Sequence, residues 1–194
     1  MNILLIGDSF AADWTVKYPE KLGWPNLLAK KYTVLNLARA GCSEYQIYQQ
    51  LQLSALDKFD LVIVSHTSPY RIYTEYHPAR RNDILHQYCD LLYSDIKELA
   101  ITNSDYNAVK IYFEKFFDLT YAKFMHQLII KEIVLLLKNK NVLHITHNFT
   151  NDNMLSLSKI YNRNQGFVNH YSEIGNNLVF DLIDKNITRI TSTQ

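Results

Sequence analysis

Short apolar runs alternate along the chain with longer stretches in which apolar residues recur at helical spacing. Residues 2–6, Asn-Ile-Leu-Leu-Ile, are almost wholly apolar and stop at Gly7, the pattern of a buried central strand. Thr33 to Leu37 (TVLNL), Leu61 to Ser65 (LVIVS) and Asn141 to Thr146 (NVLHIT) predict three more strands. A helix is expected over 24–31, with Pro25 at an early helical position. Ser43, followed three residues later by Gln46, reads as a capping box opening a helix to about Leu53. The spacing from Tyr106 to Asn139 predicts two helices broken near Asp118 to Thr120, and a closing helix is expected over 172–184 after a loop to about Val168. Strands alternating with helices predict a three-layer, flavodoxin-like α/β fold: a parallel sheet of four to five strands with helices on both faces.

The stretch from His66 to about Thr102 resists this reading. It is polar and aromatic and carries the turn-prone pairs Ser68-Pro69 and His77-Pro78. The 194 residues suit one domain, and residues 66–101 are expected to form an aromatic-rich insertion or cap within it. Tyr70, Arg71, Tyr73 and Tyr76 suit a polar, sugar-like or anionic ligand better than a long lipid chain.

Charge narrows the field. Twenty basic and 19 acidic residues leave a net charge of +1, so no strong field draws in nucleic acid or an anionic membrane. Arg80-Arg81 and Lys138 to Lys140 read as solvated surface. No segment reaches the roughly 18 uncharged apolar residues of a membrane span, and the first apolar run is too short for a signal peptide. The expected location is cytoplasmic. Cys42 and Cys89 form no metal spacing or disulfide framework. His66, His77, His86, His126 and His147 make no zinc pattern, and His144 reads as a residue of its strand. No metal or cofactor is expected, and the oligomeric state is left open.

In a parallel sheet, ligands bind beyond the carboxyl ends of the strands. Those ends deliver Gly7-Asp8-Ser9, Ala40-Gly41, His66-Thr67-Ser68 and His147, with His170 before the last helix. A hydroxyl, a glycine amide, further polar groups and an imidazole are the inventory of nucleophilic acyl transfer, since serine needs a base and the tetrahedral intermediate needs donors. Gly7-Asp8-Ser9 also serves as a strand exit and helix cap, and Gly41 as an ordinary turn glycine. The Gly7 to Ala11 stretch fits a loose Gly-x-Ser-x-small elbow, but an α/β-hydrolase places several strands before its nucleophile and this chain has room for one. Neither GxGxxG nor GxxxxGK[ST] occurs.

These segments resemble the SGNH/GDSL hydrolase superfamily. Ile6-Gly7-Asp8-Ser9-Phe10 is similar to its first block, Asn36-Leu37-Ala38-Arg39-Ala40-Gly41 to its second, and Asn169-His170-Tyr171-Ser172-Glu173-Ile174-Gly175 to its last. The resemblance implies Ser9 as nucleophile, His170 as base, the Gly41 amide in the oxyanion hole, and an O-ester substrate, such as an O-acetyl or carbohydrate ester, handled by a hydrolase or acyltransferase. Two blocks depart from it. The third, usually Gly-x-Asn-Asp, is replaced by Ser65-His66-Thr67-Ser68-Pro69-Tyr70-Arg71, which leaves Thr67, Ser68, His66 or Arg71 to serve the oxyanion or substrate. The Asp three residues before the histidine is Phe167; losing such a carboxylate costs about 10⁴ in rate. A backbone carbonyl, Asn164 or Glu173 is left to orient His170. The alternative reading is a non-catalytic binding or assembly protein that keeps the fold with a degraded triad.

Overall fold

The computed structural model describes residues 1–75, 77, 82–94 and 104–192. Tyr76, the Arg80-Arg81 pair and part of the expected 66–101 cap lie outside them. In chain order the elements are β1 (Asn2–Gly7), α1 (Trp24–Lys31), β2 (Thr33–Asn36), α2 (Glu44–Gln52), β3 (Leu61–His66), β4 (Arg71–Ile72), β5 (Leu91–Leu92), α3 (Ser104–Lys115), α4 (Leu119–Leu136), β6 (Val142–Thr146), β7 (Leu155–Ser156), α5 (Ser158–Arg163), β8 (Gln165–Val168) and α6 (Glu173–Thr191). Five strands form one parallel sheet in the order β2-β1-β3-β6-β7, the flavodoxin-like order. β4 and β5 form a separate antiparallel pair.

The strand alternation divides the core. Ile3, Leu5, Leu61, Ile63, Leu143 and Ile145 face α1 and α6, where Trp24, Leu28, Val179, Ile183 and Ile187 meet them. Leu4, Ile6, Val62 and Val64 face α2 and α4, against Ile47, Leu51 and Ile133. Burying one such aliphatic side chain contributes about 1.5–3 kcal/mol, and slipping any strand by one residue would exchange the two faces. Both faces are covered, so these strands read as continuous apolar runs.

Two local expectations change. The stretch expected as a loop to Val168 contains β7, α5 and β8, elements of two to six residues, too short for a periodic signal. The closing helix runs to Thr191 because its apolar stripe continues through the buried Ile187. The Ser43 cap is made, with its hydroxyl accepting from the Gln46 amide at 3.5 Å. The Gln46 side chain does not return the bond; it donates to Asp90 and to the Tyr88 carbonyl, each at 2.8 Å. Among the described residues no helix is long and apolar enough to cross a membrane.

Gly7 ends β1 where backbones crowd. Its amide donates to Gln50 Oε1 at 2.8 Å, and its carbonyl accepts from Gln50 Nε2 at 3.1 Å and from the Arg39 amide at 3.0 Å. A Cβ here would stand 2.5 Å from Ser65 Cβ and 2.8 Å from the Ser65 carbonyl oxygen. Gly7→Ala is therefore expected to force β1 and β3 apart and to cost about 1–3 kcal/mol, read as a lower urea midpoint with an unchanged m-value.

Candidate active site

The exit from β1 is a tight turn organised by Asp8. Its carbonyl accepts from the Ala11 and Ala12 amides, both at 3.0 Å, and its carboxylate accepts from the Phe10 amide at 3.0 Å. This turn places Ser9 at the carboxyl edge of the sheet, 3% exposed. Asp8 itself is fully buried. Burial pushes its carboxyl up to about 6, against the opposing pull of Arg71 and hydrogen bonds from the Phe10 amide and the Thr67 hydroxyl.

His170 reaches Ser9 from the far end of the chain. β8 folds back on Tyr171, with Val168 and Tyr171 paired antiparallel, and Asn169 and His170 are the two residues between them. Both have positive φ, 50° and 63°, as a primed two-residue hairpin turn requires. Asn tolerates this conformation well and His less so. Tertiary contacts hold the turn in place: Asn169 Nδ2 donates to the Ala12 carbonyl at 2.7 Å and the Ser9 carbonyl at 3.3 Å. The His170 ring lies 4.5 Å from Phe10 and 6.0 Å from Trp14, centroid to centroid. Its Nε2 stands 2.8 Å from Ser9 Oγ. Burial, then the charges of Arg71 and His86, holds His170 down at about 4, so the ring is neutral at pH 7 and accepts the Ser9 proton at Nε2 in its Nδ1–H tautomer.

Among the described residues no hydrogen bond reaches His170 Nδ1 from a carboxylate. Neither Glu173 nor Asn164 makes a hydrogen bond to His170 among the described residues, and Asn164 Nδ2 donates to the Ile160 carbonyl. Phe167 is 52% exposed and packs edge-on to Trp14 and Tyr18 at 5.2 and 4.9 Å, with the Lys21 ammonium 4.6 Å from its centroid.

Gly41 has φ +81°, a left-handed conformation, and a Cβ there would stand 2.4 Å from Cys89 Cβ. Only glycine fits. Its carbonyl accepts from the Asp90 amide at 3.0 Å, while the buried Asp90 carboxylate accepts from the amides of Ser43 at 2.6 Å and Thr74 at 2.9 Å. Neither the Ser9 amide nor the Gly41 amide donates to an acceptor among the described residues.

The third strand's exit is arranged differently from its neighbours. The Thr67 hydroxyl is bound to Asp8 and accepts from Arg71 Nε at 3.2 Å. Its amide donates to Glu44 at 3.1 Å and its carbonyl accepts from His126 at 2.7 Å. Thr67 is thus a structural bracket with no spare donor. Ser68 lines a neighbouring cavity. Arg71 is the group that reaches the centre: its Nη1 would lie 3.5 Å from a Cβ on Gly41.

Glu44, missed by sequence reasoning, sits beneath this arrangement. Its two oxygens meet His66 Nδ1 at 2.6 Å and, on the other side, the Thr67 amide and His126 Nε2, the last at 3.5 Å. His66 Nε2 continues to His144 Nδ1 at 2.9 Å. Burial alone would raise the Glu44 carboxyl, but the charge and hydrogen bonds of His66 and His126 outweigh it and hold it at about 2. His147 makes a parallel link between Ser65 Oγ at 3.0 Å and the Tyr171 hydroxyl at 2.7 Å, stacked 4.4 Å from the Phe10 ring. Glu44 and Asp90 left no local signal, because the partners of both carboxylates lie 16 or more positions away in the sequence. Among the described residues no cluster of His, Cys, Asp and Glu is arranged to hold a metal ion.

Compared with models of known protein families and with curated protein sequences, the chain matches none.

Replacing Glu44 by Ala removes the acceptor of His66 and of the Thr67 amide, and a loss of about 3–5 kcal/mol is expected, measured by urea unfolding. The carboxylate's share is fully present above its ordinary value of 4.5 and is lost as pH falls toward about 2. The gap between wild type and variant should therefore narrow across that window.

Proposed function

We propose that this protein is a serine hydrolase of the SGNH/GDSL type that cleaves small O-esters, O-acetyl or carbohydrate esters among them, through an acyl-serine intermediate. The observation that carries this reading is the 2.8 Å approach of Ser9 Oγ to His170 Nε2 at the carboxyl edge of the sheet, between residues 161 positions apart. Ser9 Oγ attacks the ester carbonyl carbon while its proton passes to His170 Nε2. The oxyanion forms against the Ser9 and Gly41 amides and the Arg71 guanidinium. His170 then gives its proton to the departing alcohol, leaving the acyl-serine. Water attacks that ester with His170 again as base, releasing the acid and restoring Ser9.

Arg71 takes the place that a neutral Asn has in the family the chain resembles. A full positive charge stabilises an oxyanion more strongly than an amide dipole does. The same charge opposes protonation of His170, to which no carboxylate among the described residues is bonded. The outcome is a weak base paired with a strong electrophilic site. A binding or assembly protein that keeps the fold is the competing reading, and the missing carboxylate is what favours it.

Hydrolysis of p-nitrophenyl acetate tests the proposal. Slow but measurable turnover is expected in wild type, abolished in Ser9→Ala, and wild type no faster than that variant would overturn it. The rate should rise with pH as His170 loses its proton near 4, well below the ordinary 6.5, and stay level through neutrality. Arg71→Met, which removes the neighbouring charge, should move that limb upward in pH while lowering kcat by roughly 10²-fold, the scale of a lost oxyanion donor.

A further inference from the structure

A cavity of about 340 Å³ opens beside the catalytic centre, on the face of the sheet that carries α2 and α4. Its walls are Tyr45 from α2, Tyr73 just past β4, and Tyr112, Phe116, Tyr121 and Met125 from α3, α4 and the turn between them. Tyr45 and Tyr73 meet edge to face at 4.8 Å. Phe116 and Tyr121 are 71% and 63% exposed, large apolar surfaces that the fold itself does not cover. Single exposed apolar residues are ordinary; rings of several elements converging on one concave space are not.

The cavity is tied to the centre by one residue. Arg71 lines it, and the same guanidinium comes 3.5 Å from the Cβ position of Gly41 and donates from Nε to Thr67. The carboxylates of the cavity are already engaged. Glu44 is spent on His66, Thr67 and His126, and Asp118 caps α4 through the Thr120 and Tyr121 amides at 2.7 and 3.0 Å. The Arg71 Nη groups donate to no acceptor among the described residues. A ligand in this space therefore meets mostly carbon along its walls and one positive hydrogen-bond donor at its inner end. An ester with a planar apolar ring matches both: the ring against the tyrosines, the carbonyl oxygen at Arg71.

We propose that this cavity is the ring subsite of the enzyme, taking an aromatic ring carried by the ester, with Arg71 as the hinge between ring recognition and chemistry. The inference rests on the acyl-transfer reading for the placement of the carbonyl at Ser9. The two ring probes below decide whether the ring belongs to the acyl or the alcohol side.

Ser9→Ala protein, which binds without turning over, is titrated by ligand-observed NMR with methyl phenylacetate (ring on the acyl side), benzyl acetate (ring on the alcohol side), ethyl acetate and glucose pentaacetate. At least one ring ester should bind about tenfold more tightly than ethyl acetate, and the preferred one identifies the side. Tyr121→Ala and Phe116→Ala, both at exposed positions that the fold tolerates, should each weaken that ester by about three- to tenfold and leave ethyl acetate unchanged. Ring esters no tighter than ethyl acetate, both substitutions without effect, or tighter binding of the sugar acetate would each overturn the subsite. Ring binding with no turnover of the same ester by wild type would support the subsite and count against acyl transfer. Turnover without ring preference would do the reverse.

Discussion

A carboxylate that has lost nearly all contact with water must be compensated where it stands, or the fold that buries it fails. Glu44 imposes that condition on the whole carboxyl edge of the sheet. It opens α2, immediately after the Gly41 loop, and it is 3% exposed. Its oxygens draw in the ring of His66 at the end of β3, the amide of Thr67 one residue later, and the ring of His126 from α4. The loop bearing Gly41, the turn bearing Thr67 and Arg71, and the helix forming a wall of the aromatic cavity are thereby tied to one charge. Removing any one partner leaves a buried group uncompensated, so the arrangement is held cooperatively.

Ser9 and His170 are held by different means. Ser9 is presented by a local turn that Asp8 closes within four residues. His170 is presented by a hairpin whose two turn residues both take positive φ, a conformation that His adopts at some cost. Contacts of Asn169 with the Ser9 and Ala12 carbonyls, and of the His170 ring with Phe10 and Trp14, keep it there. Packing and backbone hydrogen bonds thus do for ring orientation what a carboxylate does in a full triad. They do not supply the negative charge.

That difference sets the electrostatics of the site. Arg71 sits among Asp8, Thr67 and Gly41, so positive rather than negative charge is the nearest influence on His170 after burial itself. His170 stays neutral down to acid pH, and in the proposed mechanism the charge that a carboxylate would place behind the imidazole is instead placed, with opposite sign, in front of Ser9, where it would favour an oxyanion. Asp8, pushed up to about 6 by burial, adds little negative charge to offset it in mildly acid solution.

The chain's order of residues was enough to define the four main strands, the helices between them and the covered parallel sheet, because each element repeats its signal locally: apolar runs for strands buried on both faces, apolar stripes for helices, Ser43 and Ser172 at helix starts. With the sheet in hand, Ser9, Gly41 and His170 follow as residues beyond strand ends or before the last helix. Only the tertiary structure decided the rest. β7 and β8 are too short to carry a period. The reach of Arg71 to Gly41 and the roles of Glu44 and Asp90 arise from contacts between residues 16 to 82 positions apart. The burial that lowers His170 and raises Asp8 is likewise a property of the packed molecule. A local pattern records which face a residue turns to the core; it carries no record of which distant group will be waiting there.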